Sequence, residues 1–323
     1  MPRYLLVVGL AASLLAGCNS KDPGPNPAAA APNPGNTAPP KSLAEARRDF
    51  KTQLVRQEKS NEPVEAPPPK DFQQIEYPAA VGNLAAYLTP DPKDGKKHPA
   101  IIWITGGDCN TIGDVWKAQP ANDDQTAGQY RKAGIVMMFP SLRGGNKNPG
   151  YREGFYGEVD DVVAAYDYLA KIEYVDPNRI YLGGHSTGGT LVLLVSEYTD
   201  KFRAVFSFGP AADTRGYPPE FAPPVSPVNT KEFDLRAPSL WLAGIQKPTF
   251  VIEGAVQGNG TALNVLSKLS KNSQIQFLLV PRVSHFSVLA PVNQVLAKKI
   301  LADTEEKCNI SLTLKDLDGS QKK

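Results

Sequence analysis

The segment Arg179-Ile180-Tyr181-Leu182-Gly183-Gly184-His185-Ser186-Thr187-Gly188-Gly189-Thr190 constrains the fold more than any other part of the chain. An apolar run ends in a Gly-x-Ser-x-Gly turn and passes into an apolar helical stretch that begins near Thr187. A buried strand that turns so tightly into a helix needs residues without side chains where its neighbours approach. The turn thrusts the serine to the carboxyl end of a sheet with its hydroxyl exposed, and the helix N-terminus beneath it favours developing negative charge. Ser186 is therefore the candidate nucleophile, against the plainer reading of a structural glycine turn.

The rest of the pattern agrees with a turn of this kind. From about residue 71, strand and helix signals alternate. Residues 72–77 and 84–88 read as a hairpin around Val81-Gly82-Asn83, and Ala100-Ile101-Ile102-Trp103-Ile104 is a continuous apolar run, as a strand buried on both faces should be. Further strands are expected at 134–139, 179–182, 204–208, 249–252 and 275–280, with helices near 122–132, 157–171, 188–199, 260–271 and 287–302. That alternation predicts an α/β domain, a mostly parallel sheet with helices on both faces. No glycine-rich phosphate loop follows the first parallel strand, which argues against a nucleotide-binding version. Residues 211–247 are proline-rich and aperiodic, and read as a rim or short lid. A net charge of +2 gives no electrostatic reason to expect nucleic acid as a partner. No His/Cys/Asp cluster has metal-ligand spacing, and no cofactor is implied.

A serine nucleophile needs a base, and the chain has three histidines. His98 precedes the first parallel strand, at the wrong end of the sheet, and the side chain of His185 diverges from the neighbouring hydroxyl. His285 follows the last strand and precedes a helix, where chain order places the base. An oxyanion hole needs two backbone N–H groups aimed at one point. Thr187 supplies one; Gly107, in Ile104-Thr105-Gly106-Gly107-Asp108 after the first parallel strand, is the candidate for the other. Glu158, Asp160 and Asp161 open a helix, where carboxylates suit the dipole; Asp108, Arg143 and Asp123-Asp124 are candidates for the pocket mouth.

Three stretches carry a family resemblance: Gly154-Phe155-Tyr156-Gly157-Glu158-Val159-Asp160-Asp161, Val175-Asp176-Pro177-Asn178-Arg179-Ile180, and the elbow around Ser186. Over roughly residues 71 to 305 the chain resembles the prolyl-oligopeptidase and dienelactone-hydrolase branch of the α/β-hydrolases. The resemblance implies an eight-stranded sheet, a Ser-His-acid triad and acyl transfer, and leaves the substrate open. The acid departs from the pattern. Members of the branch carry Asp a few residues after the seventh strand, whereas here Gln257 falls at that place in Phe250-Val251-Ile252-Glu253-Gly254-Ala255-Val256-Gln257-Gly258-Asn259. Asp213, after the sixth strand, is the preferred replacement; Glu253, at the end of the seventh, and the amide of Asn259 are the alternatives.

The N-terminus bears on location. Arg3 precedes an apolar run from Tyr4 to Leu15, too short to span a bilayer comfortably, and Leu15-Ala16-Gly17-Cys18 resembles the lipobox of bacterial lipoproteins. That resemblance implies a signal peptide over 1–17, lipidation of Cys18 and anchoring to a membrane. Asn19 after the cysteine favours the outer membrane, facing the periplasm of the bacterial cell envelope. Residues 18–70 form the anchor and a Pro/Ala-rich linker, with seven prolines between 19 and 40 and a short helix expected at 42–56. The hydrolase domain then runs from 71 to 305 and a tail from 306 to 323. With Cys18 lipidated, Cys109 and Cys308 remain, and an exported compartment favours a disulfide between them. The leading expectation for function is an esterase-like serine hydrolase acting on a small-molecule ester. A serine peptidase of short peptides and a catalytically silent binding lipoprotein are the alternatives.

Overall fold

The computed structural model describes residues 42–318. The signal-peptide, lipidation and proline-rich linker expectations at residues 1–40 lie outside the described residues. Helix α1 (Leu43–Arg47) is followed by β1 (Gln73–Ala79), β2 (Gly82–Leu88), β3 (His98–Ile104), α2 (Gly128–Lys132) and β4 (Val136–Pro140). Helix α3 (Gly157–Leu169), β5 (Val175–His185), α4 (Thr187–Tyr198), β6 (Val205–Phe208) and α5 (Thr230–Asp234) come next. The described chain closes with β7 (Thr249–Gly254), α6 (Gly260–Leu269), β8 (Ile275–Val280), α7 (Leu289–Ala302) and α8 (Leu314–Asp318). One eight-stranded sheet has the order β1-β2-β4-β3-β5-β6-β7-β8. The β1–β2 and β2–β4 pairs are antiparallel and all the others parallel. This is the eight-stranded, mostly parallel α/β-hydrolase arrangement that the resemblance implies.

Alternation along the strands accounts for the two faces. On β3, Ala100, Ile102 and Ile104 join the core under α3 and α4, while Ile101 and Trp103 join the core under α2 and α7. A strand covered on both sides has no solvent face, so every position from Ala100 to Ile104 is apolar. Helix α4 is buried from Thr187 to Glu197, which explains why Leu191 to Val195 is an unbroken apolar run rather than a stripe. The order of the strands reverses its direction of winding at β3 and β5. Loops leaving the carboxyl ends of those two strands therefore diverge and open a crevice, the usual ligand position in such sheets.

Local differences from the sequence expectations have tertiary causes. The helix expected at 42–56 stops at Arg47, whose guanidinium lies over the rings of Tyr156 (4.1 Å) and Tyr198 (4.7 Å) and pairs with Asp160 at 2.7 Å. Beyond it the chain runs extended because the domain takes its backbone groups: Val55 N donates to Pro224 O, Ser60 N to Gly144 O, and Glu58 O accepts from Arg152 N. The helix expected from 122 begins only at Gly128. Asp124 accepts from the Thr126 hydroxyl and the Gly128 N–H, and the Trp103 indole N–H takes the Gln125 carbonyl that a helix would have used. The tail beyond 305 packs on the domain through Ile310, Leu312 and Leu317.

The disulfide expectation is corrected. Cys109 and Cys308 are both free thiols. Cys109 belongs to the core on one face of the sheet and Cys308 packs against the core on the other, so the sheet stands between them.

Candidate active site

The elbow serine is held in a conformation that few residues adopt. Ser186 has φ 56° and ψ −116°, a strain of about 1–3 kcal/mol that persists only where the surroundings enforce it. Its N–H donates to Phe208 O of β6 at 2.8 Å, and its carbonyl accepts from Thr190 N at 2.9 Å. A Cβ at Gly188 would run into the Ile104 and Thr105 carbonyls, and one at Gly189 into the Phe208 carbonyl. The glycines of the elbow thus let α4 start directly against the ends of β3 and β6.

His285 stands in the loop after β8, with its side chain 13% exposed. Its Nδ1 lies 2.9 Å from Glu253 Oε2, and the Glu253 side chain is fully buried. A carboxylate only accepts, so Nδ1 carries the proton and Nε2 presents its lone pair. Glu253 is itself fixed: Oε1 accepts from Gly254 N at 2.7 Å and Oε2 from Asn259 N at 3.0 Å. The His285 N–H donates to Gln257 O at 3.0 Å. A Cβ at Gly209 would fall 2.6 Å from His285 Nδ1, so that glycine, one residue beyond the carbonyl that holds Ser186, makes room for the imidazole.

The acid assignment is therefore corrected. Asp213 does not meet His285. It caps the following turn through Arg215 N at 2.8 Å and pairs with the Arg215 guanidinium at 2.7 Å, on the exposed rim. Asn259 is not the partner of the imidazole either, since its amide donates to Gly209 O. Glu253 reaches because it ends β7 at the carboxyl edge of the sheet, and its extra methylene spans what an Asp in the following loop would otherwise cover. His98, at the other end of β3, pairs with Asp94.

Gly107 and Thr187 line one cavity of about 70 Å³ with Phe155, Phe221, Pro224 and Glu58. Thr187 is the first residue of α4, so its N–H has no intrahelical acceptor. Its hydroxyl donates to Gly107 O at 2.8 Å and ties the two loops together. Gly107 has φ +71°, and a Cβ there would project into open space. Gly107 and Thr187, the two candidates for an oxyanion hole, thus share one cavity and one hydrogen bond, and Thr187 directly follows the strained serine.

The walls of the cavity rest on residues whose roles are not visible in the sequence. Glu158 does more than complement a helix dipole. Fully buried, it accepts from Glu153 N, Gly154 N, Tyr156 N and the Asn110 amide, and so shapes the turn that presents Phe155. Arg143, expected at the pocket mouth, is instead buried and forked onto Asp161, with Glu153 at 2.6 Å. Burial raises the pKa of Asp161, and the guanidinium beside it works in the other direction. Asp108 does line the cavity, paired with Arg152 at 2.5 Å. The one legible signal for Glu158 is its place four residues after Gly154, which fits a carboxylate gathering the N–H groups of a glycine turn.

Comparison with known proteins agrees with this architecture. The sequence model of the prolyl oligopeptidase family matches residues 123–297, more than half of the chain. Dipeptidyl-peptidase 5 of Porphyromonas gingivalis is 31% identical over 133 residues, which is 39% of this chain and 19% of that protein. Prolyl oligopeptidase A of Galerina marginata is 37% identical over 68 residues, 19% of this chain and 9% of that protein. This chain thus spans a fifth or less of the length of the curated relatives it matches. A puromycin-hydrolyzing peptidase of Mycobacterium tuberculosis shares the fold, with a TM-score of 0.57 and 18% identity over 72% of this chain and 39% of that one.

Proposed function

The chain belongs to the prolyl oligopeptidase family and is a serine hydrolase, and we propose on that premise that it is a peptidase of short peptides, with Ser186, His285 and Glu253 as its catalytic groups. The observation that carries the assignment of groups is the 2.9 Å contact between His285 Nδ1 and the buried Glu253 carboxylate. It supplies the charged partner that the sequence lacks at Gln257, and so removes the main support for a silent binding protein. In the proposed reaction Ser186 Oγ attacks the peptide carbonyl while His285 Nε2 takes its proton. The oxyanion lies against the N–H groups of Thr187 and Gly107. His285 then gives the proton to the leaving amine as the C–N bond breaks, and water releases the acyl-enzyme by the same steps. Glu253 orients the imidazole and stabilises the imidazolium.

The choice of peptides over esters draws on the names of the relatives, a dipeptidyl-peptidase and a prolyl oligopeptidase. A fluorophosphonate probe is expected to label Ser186 in the folded protein and to leave Ser186→Ala unlabelled. Side by side, peptide anilides should be turned over as well as p-nitrophenyl esters; turnover of the esters alone would return the chain to the esterase reading.

The proposed location is the bacterial cell envelope, at the outer membrane, supported by the Leu15-Ala16-Gly17-Cys18 run. Cells fed a labelled fatty acid should incorporate it into this protein, and Cys18→Ser should abolish the incorporation. A mature N-terminus at a different, unmodified residue would refute the anchor.

A further inference from the structure

His185 is a buried polar group that the mechanism leaves unused. It is fully buried, directly before the nucleophile on the elbow. Its Nε2 lies 3.0 Å from the backbone oxygen of His285, and the two rings stand 4.4 Å apart, centroid to centroid, tilted by 42°. A carbonyl only accepts, so Nε2 carries the proton. Nδ1 has no hydrogen-bond partner and faces Gly106, where a Cβ would come within 3.0 Å of it. Burial, and then the neighbouring His285, bring the His185 pKa down to about 3. The ring therefore stays neutral in the one tautomer that donates to His285.

We propose that His185 is a positioning residue, whose Nε2–H fixes the main chain of the base loop from the same elbow that carries the nucleophile. The proposal rests on the reading of His285 as the base. Ser186 and His285 lie far apart in sequence, and the contact between His185 and His285, 100 residues apart, links their two loops directly. The Glu253 contact orients the imidazole from one side and the Gln257 carbonyl holds the His285 N–H. His185 adds the third point, on the His285 carbonyl, so that the loop can neither rotate nor slide against the elbow. Errors of about 1 Å in such an arrangement can cost two orders of magnitude in rate. Neutrality matters as much as position, because a charged ring 4.4 Å away would oppose the imidazolium that His285 must become.

The test compares His185→Met, which keeps bulk without a donor, with His185→Gln, whose amide N–H can reach the same carbonyl. With a peptide anilide, His185→Met is expected to lower kcat by about 30- to 100-fold with KM little changed, and His185→Gln to restore it to within about threefold. Wild-type kcat in His185→Met, or an equal loss in His185→Gln, would overturn the proposal. The wild-type protein gives a second reading that no misfolded variant can obscure. Nitrogen NMR of its three histidines should show one imidazole that remains neutral and Nε2-protonated down to about pH 4. Titration of all three between about pH 5 and pH 7.5 overturns the proposal as well. A wild-type protein that neither takes up the fluorophosphonate probe nor turns over substrate sinks the base assignment itself. Active wild type with an indifferent position 185 sinks this proposal alone.

Discussion

Replacing Glu253 by Gln is expected to lower kcat by about three to four orders of magnitude with little change in KM. The carboxylate accepts a hydrogen bond from His285 Nδ1 at 2.9 Å. Gln can turn its amide N–H toward that nitrogen, which moves the proton to Nε2 and leaves the serine without an acceptor. The variant also removes the negative charge that stabilises the imidazolium. The change is isosteric and the amide oxygen can still accept from Gly254 N, so the fold should survive the one bond it loses, that from Asn259 N to the position the amide nitrogen takes. Asp213→Asn serves as the control. Its carboxylate is engaged with Arg215 on the rim, and the change should leave kcat within about twofold, in line with the small worth of exposed ion pairs. Steady-state kinetics on both variants, with circular dichroism to show that they fold, decides the matter. An Asp213→Asn variant as impaired as Glu253→Gln would return the acid to the rim.

Those two variants mark where the sequence stops being readable. The strand–elbow–helix around Ser186 is legible because glycine spacing and apolar runs encode local geometry. The position of His285 follows from chain order once the strands are counted. The acid is a different kind of question. Asp213, Glu253 and Asn259 all lie at or beyond strand ends near the same edge of the sheet, and which one reaches the imidazole depends on how the 255–259 turn folds back to place Gln257 O on the His285 N–H. Periodicity carries no information about that. The disulfide expectation failed for a related reason: cysteine count says nothing about which face of a sheet each thiol joins. The helices expected at 42–56 and 122–132 have adequate propensity, and tertiary hydrogen bonds at Val55, Ser60 and Trp103 override it.

The stretch after α1 matters to the site because it closes one wall of the cavity with Glu58, and its attachment supplies the second large effect. Arg236 and Glu232 form an ion pair with both side chains fully buried. Around it, Glu232 accepts from the Thr52 hydroxyl and Gln53 N. Arg236 donates to the Thr52 hydroxyl and to the carbonyls of Glu153 and Gly154. One pair thus joins the N-terminal stretch, the rim helix α5 and the turn that presents Phe155. Burial outweighs these partners and holds the Arg236 pKa below its ordinary value, so the pair is not a strong net stabiliser. Cutting it in half is nevertheless severe. Arg236→Met takes the guanidinium away from a buried carboxylate, which keeps only Thr52 and Gln53, and from the carbonyls of Glu153, Gly154 and Glu232, and should cost about 3–5 kcal/mol, a fall in Tm of roughly 10 °C for a domain of this size. The double variant Arg236→Met with Glu232→Leu removes the stranded charge and should be more stable than Arg236→Met alone, which a thermodynamic cycle reads directly. In both, KM should rise more than kcat falls, because the cavity wall is loosened while the Glu253–His285 contact is untouched. Equal stability of the single and double variants would mean that Glu232 finds another partner, and that the attachment of the wall does not depend on this pair.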